Sequence, residues 1–197
     1  MKLKRKRSKP YIVEYLGDRI VNFEEYKGLL VLFPNNKNIA KMLVYEEPVE
    51  AFFSFDKKWR WVAEIPVEYL YEEGKKIQDT YDNLKLYEIK LEMKGLIRKQ
   101  PFFVSTHQLD KPNALALLIE KNEFLISSIR KVKPDDLFVK LDFNPDTNKI
   151  SWVVTLTKGP IEDYLKTRSK INQIFDIFTQ ISKQLLQFTK NYQKSAS

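Results

Sequence analysis

The 197-residue chain is 43% hydrophobic and 30% charged, with 13 Phe, 10 Tyr, 3 Trp and a formal charge of +8. That apolar content suits one domain with a full core and argues against extended disorder. The absence of cysteine excludes disulfides, thiolate catalysis and cysteine-ligated metal sites, and the longest apolar run, Leu29–Phe33, is strand-sized, so no membrane span is expected.

Residues 1–9 read as a flexible basic tail in which Lys2, Lys4, Arg5, Lys6, Arg7 and Lys9 contribute six positive charges. Such a run attracts nucleic acid or an acidic partner through a sequence-independent, salt-sensitive force. No apolar signal core follows it, which predicts a cytoplasmic protein. From Tyr164 onward the net charge is +5, and the body from Pro10 to Asp163 is left at −3. The basicity therefore sits at the two ends. Abundant Lys and Glu with few Met suggest a thermophile, against which stand 19 Asn plus Gln.

Residues 10–197 are expected to form a single α+β domain: a mainly antiparallel sheet built from hairpins, with segregated helices and a long C-terminal helix over about 160–193. Tyr11–Leu16 and Arg19–Phe23 read as strands about a Gly17-Asp18 turn. The run Gly28–Phe33, stopped by Pro34, reads as a strand buried on both faces, and Lys41–Glu47 as another strand. Phe52–Phe55 and Trp59–Ile65 suggest a hairpin ended by Pro66, with Trp59, Trp61, Ala63 and Ile65 sharing a core face. Val67–Lys76 predicts a short helix stopped near Gly74. Leu84–Lys94 alternates as a half-buried strand, and Leu96–Thr106 returns beside it, Pro101 favouring an edge or bulge. Asp110 is the expected N-cap of a helix that begins near Pro112 and carries Leu115, Leu118, Ile119, Leu125, Ile126 and Ile129 on its core face. Leu137–Phe143 and Ile150–Leu156 form the clearest hairpin, joined by Asn144–Lys149.

In the last helix Ile171, Ile174, Phe178, Ile181, Leu185, Phe188 and Tyr192 follow alternating spacings of three and four. Such a seam suits either docking on the protein's own sheet or association with a second chain. The residues from Ile171 to Phe188 are thus a candidate association seam.

Catalytic signatures are sparse. His107 is the only histidine, and Ser105-Thr106-His107 lacks an oriented third member in local sequence. With 5 Gly there is neither a phosphate-cradling loop nor a dinucleotide fingerprint. Asp142–Asn148 places oxygen side chains like the start of a calcium loop, but Thr147 replaces its Gly and Val153 its closing Glu; turn chemistry explains the same residues. Asp135-Asp136 could hold a nuclease metal, though a helix-to-strand connection explains them equally well. Lys57, Lys58, Trp59, Arg60 and Trp61 could stack on single-stranded bases, against which stands their core-face alternation. The expectation is no enzyme, no cofactor and no metal.

The aromatic segment Phe52-Phe53-Ser54-Phe55-Asp56-Lys57-Lys58-Trp59-Arg60-Trp61, the hairpin ending Ile150-Ser151-Trp152-Val153-Val154, the long final helix and the lack of cysteine together resemble the crenarchaeal accessory seventh subunit of the Cmr (type III-B CRISPR) RNA-targeting complex. That resemblance covers the whole chain. It implies a non-catalytic, homodimeric subunit of an antiviral ribonucleoprotein that targets invading RNA, partnered with other subunits and contacting RNA, if at all, through its basic ends. The alternatives are a stand-alone nucleic-acid-binding protein of viral or plasmid type and, more distantly, a metal-dependent nuclease using Asp135, Asp136, Asp142 or Asp146.

Overall fold

Apolar inner positions alternating with mixed outer ones build the middle of the sheet. The computed structural model describes residues 10–48, 57–67, 74–95, 100–108, 112–159 and 167–196. In it, Leu137, Val139 and Leu141 of β7 (Asp136–Asn144) and Ile150, Trp152, Val154 and Leu156 of β8 (Lys149–Lys158) are buried on one face. The two strands pair from Asp136↔Thr157 to Asn144↔Lys149, so the expected hairpin is present. Asn144 Oδ1 accepts the N–H groups of Asp146 and Thr147, and Asn148 takes φ 53°. These residues make a turn, as their Asx chemistry suggests.

On the other side of β8 lies β4 (Lys57–Pro66), whose Trp59, Trp61, Ala63 and Ile65 are buried together as expected. Its second neighbour is β3 (Lys41–Pro48), in register from Lys41↔Glu64 to Pro48↔Lys57. The expected partner Phe52–Phe55 lies outside the described residues. β1 (Ile20–Tyr26) and β2 (Leu29–Pro34) extend one side of the sheet, β5 (Ile89–Lys94) and β6 (Gln100–Ser105) the other. The order is β1-β2-β3-β4-β8-β7-β5-β6, antiparallel throughout. Pro101 falls on edge strand β6, where a missing N–H is tolerated.

Several local expectations are corrected. Tyr11–Leu16 is a helix, α1, because Ile12, Val13 and Leu16 fall on one buried helical face; Gly17, at φ 55°, ends it by donating its N–H to Val13 O. Gly17-Asp18 therefore leads through one 3-10 turn into β1. The first hairpin turn is Lys27-Gly28, both at positive φ (45° and 85°), as a two-residue loop matched to strand twist requires. Val67 continues extended from β4, its N–H on Ile150 O; residues 68–73 lie outside the described residues, and Gly74 lies within helix α2 (Gly74–Lys85), so no helix stops there. The helix expected from Pro112 is split into α3 (Ala114–Glu120) and α4 (Glu123–Val132). Asn113 Oδ1 caps the first through Leu115 and Ala116 N–H, and Asn122 Oδ1 caps the second through Leu125 N–H; such caps contribute roughly 1 kcal/mol each. Asp110 lies outside the described residues. The long helix α5 is Arg168–Ala196, and the expected start near residue 160 also falls outside them.

The described helices stand over one face of the sheet, giving the expected α+β fold with two layers. Tyr11 of α1 stacks on Trp59 at 6.0 Å, Phe178 of α5 on Trp61 at 6.4 Å, and Tyr81 of α2 meets Phe143 at 6.0 Å. Trp152 Nε1 donates to Thr189 Oγ1 of α5 at 3.1 Å. α3 and α4 pack on α5 and β6, with Glu120 accepting the Phe103 N–H at 2.7 Å.

Candidate functional site

The apolar seam of α5 is not a free surface. Ile171, Ile174, Phe178, Ile181 and Leu185 are each 0% exposed, and Phe188 is half-buried with its ring 4.8 Å from Tyr87. Phe175 and Ile177 are buried beside them, widening the stripe to the breadth of a core-facing helix. The seam is already filled by the protein's own sheet and helices, so its reading as an intermolecular surface is corrected to core.

The chemistry-bearing residues have equally local partners. His107 Nε2 lies 2.8 Å from Glu88 Oε2, while Glu88 Oε1 accepts the Leu141 N–H at 3.1 Å. Ser105 Oγ accepts the N–H groups of His107 and Gln108. This network ties the ends of β5 and β6 to β7. Asp135 faces Lys58 at 2.9 Å and Lys158 at 3.7 Å, and among the described residues no three His, Cys, Asp or Glu side chains gather to hold a metal. Trp59 and Trp61 lie in the core, 3% and 0% exposed, out of reach of a stacked base. Lys2, Lys4, Arg5, Lys6, Arg7 and Lys9 lie outside the described residues.

The surface that sequence reasoning missed is the opposite face of the sheet. Direct register partners place Val31, Leu43, Val62, Thr155, Phe138, Lys90 and Val104 in one row across β2, β3, β4, β8, β7, β5 and β6. Leu29, Phe33, Tyr45, Val153 and Phe102 flank this row on the same face. All are half-buried except Phe138, which is 38% exposed, and no described helix covers them. The signal was present in β2, where both parities are apolar. Reading that run as buried on two faces was half right: Leu30 and Leu32 are buried, whereas Leu29, Val31 and Phe33 are only half-buried.

Several of the charges on this face are paired in place. Lys41 pairs with Glu64 at 2.9 Å, Arg60 with Glu47 at 3.0 Å, Lys90 with Glu92 at 3.0 Å and Lys58 with Asp135 at 2.9 Å. Lys94 Nζ sits 5.2 Å from the Phe102 ring centroid. An apolar centre with paired charges at its flanks differs from a nucleic-acid surface, which carries net positive charge. No known protein family, curated protein or solved structure matches this chain. Among the described residues no helix is long and apolar enough to cross a membrane.

Both strand edges are blunted against further pairing. On β6, Pro101 lacks an N–H and the Phe103 N–H is taken by Glu120. On β1, consecutive Glu24 and Glu25 would oppose like charges from another copy, and the register slips between Ile20 and Asn22. Face-to-face contact is thus favoured over edge addition.

Proposed function

We propose that this protein is a non-catalytic accessory subunit of a Cmr-type RNA-targeting ribonucleoprotein, acting as a homodimer that joins through the face of its sheet that no described helix covers. The observation that carries the reading is the row Val31–Leu43–Val62–Thr155–Phe138 with its paired charges. A second copy suits this face because the face is electrically balanced: two identical surfaces meet without net repulsion, and the apolar rows oppose each other. Blunted edges leave the face as the route by which two sheets associate. The basic run at residues 1–9 supports contact with RNA or an acidic neighbour, and the resemblance of the aromatic segment and final helix supports the assembly.

Two measurements test this. Tagged chain expressed in its native host should recover guide RNA and the other subunits of the assembly; recovery of neither would overturn the ribonucleoprotein reading. Val62→Glu should halve the particle mass seen by light scattering and leave thermal unfolding nearly unchanged, because Val62 faces away from the core. An unaltered mass would overturn the proposed interface.

A further inference from the structure

We propose that the open cleft between the β2–β3 turn and the middle of α5 binds a ribonucleotide, its phosphate between Lys37 and Lys183 and its ribose hydroxyls on Asp18. The cleft has a volume of about 510 Å³ and is lined by these three residues together with Arg19, Asn36 and Phe175. That size is in the range of small-molecule sites.

Its walls are built to hold shape. The Arg19 guanidinium lies 4.4 Å from the Phe175 ring centroid, donates to Asn172 Oδ1 at 2.8 Å and meets Asp176 Oδ1 at 2.5 Å. The turn that carries Lys37 is fixed to Arg19, whose carbonyl accepts the Asn35 N–H at 2.8 Å, and is closed by Asn36 Oδ1 accepting the Asn38 N–H at 3.0 Å. Asp176 neutralises Arg19. Lys37 and Lys183 are exposed and have no acidic partner among the described residues, so their charge is available to an anion. Asp18 is the one carboxylate in the lining. It would repel a ligand made only of carboxylates, but it accepts hydrogen bonds from hydroxyls. An anion with neighbouring hydroxyl donors is the chemistry of a ribonucleotide, and the 2′-hydroxyl separates it from the deoxy form.

That the nucleotide belongs to an RNA strand rests on the ribonucleoprotein reading; the chemistry of the cleft does not. Full-length chain is titrated with a labelled short oligouridylate, the matching deoxy oligonucleotide and adenosine 5′-monophosphate. Lys37→Glu combined with Lys183→Glu should weaken oligouridylate binding about tenfold and reduce the salt slope by roughly 0.7, as one lost phosphate contact on a single strand implies. Asp18→Asn should weaken the ribo but not the deoxy ligand. If the double variant binds oligouridylate like the native chain, and only Lys4→Glu with Lys6→Glu in the basic run loses it, the cleft proposal is overturned. If Asp18→Asn changes both ligands alike or neither, the ribose contact is overturned. Adenosine 5′-monophosphate bound in a Lys37- and Lys183-dependent manner without oligouridylate binding would support the cleft and count against its use for strand RNA. Loss of RNA binding in the double variant with no assembly recovered from the host would keep the cleft and sink the ribonucleoprotein reading.

Discussion

Two buried tryptophans with nearly identical exposure differ in one atom's surroundings. Trp152 Nε1 donates to Thr189 Oγ1, which itself donates to the Leu185 carbonyl, whereas Trp61 Nε1 has no acceptor among the described residues. Replacing either by Phe leaves a comparable void, but only at Trp152 is a hydrogen bond lost. Denaturant unfolding should therefore show Trp152→Phe less stable than Trp61→Phe by about 1 kcal/mol. Tyr11 offers a titration counterpart. Burial, then the nearby Glu46 carboxylate, then Tyr15 push its phenol above the ordinary tyrosine range. The folded state thus holds this proton more tightly than the unfolded chain does. Its contribution is fully present below the unfolded value of about pH 10 and is lost as the pH rises through the folded one. Unfolding free energy measured at alkaline pH should fall beyond that point, and Tyr11→Phe should flatten the fall.

At the scale of elements, period-two alternation made β4, β7 and β8 legible in sequence because their inner faces are apolar and their outer faces mixed, a pattern only a half-buried strand produces. The heptad spacing of α5 was equally legible, but its destination was not: the same repeat serves a coiled coil and a helix lying on its own sheet. The structure decides through Trp61 against Phe178 and Trp152 against Thr189. Phe178→Ala should accordingly cost about 3–5 kcal/mol in denaturant unfolding, and Phe178→Glu should unfold the chain instead of simply lowering its mass. α1 was misread because six residues with Ile12-Val13 favour a strand by propensity, while the i, i+1, i+4 burial that makes them helical depends on a sheet and an α5 far away in sequence. The break between α3 and α4 could have been found from Asn122-Glu123, a cap followed by an acidic first-turn residue. The cleft at Lys37 and Lys183 was hidden because its two lysines are 146 positions apart in the chain.

For the molecule as a whole, an eight-stranded sheet covered by described helices on one side only must keep its edges from recruiting other strands. Glu120 does so on β6 by occupying the Phe103 N–H, and Glu120→Ala should raise heat-induced light scattering by exposing that donor beside the apolar outer face. The contact between Arg19 and α5, joined by Asn172 Nδ2 and Arg168 Nε donating to Tyr15 O, also has a bearing on synthesis. Ribosomal translation delivers the Trp59–Ile65 face of β4 roughly a hundred residues, and α1 still longer, before the helix that buries them. During that interval a row of indole and aliphatic side chains has no permanent cover, which is when chaperone engagement matters most. Released chains truncated before Ile171 should therefore stay bound to holdase chaperones, whereas the chain with Phe178 in place against Trp61 should be free of them.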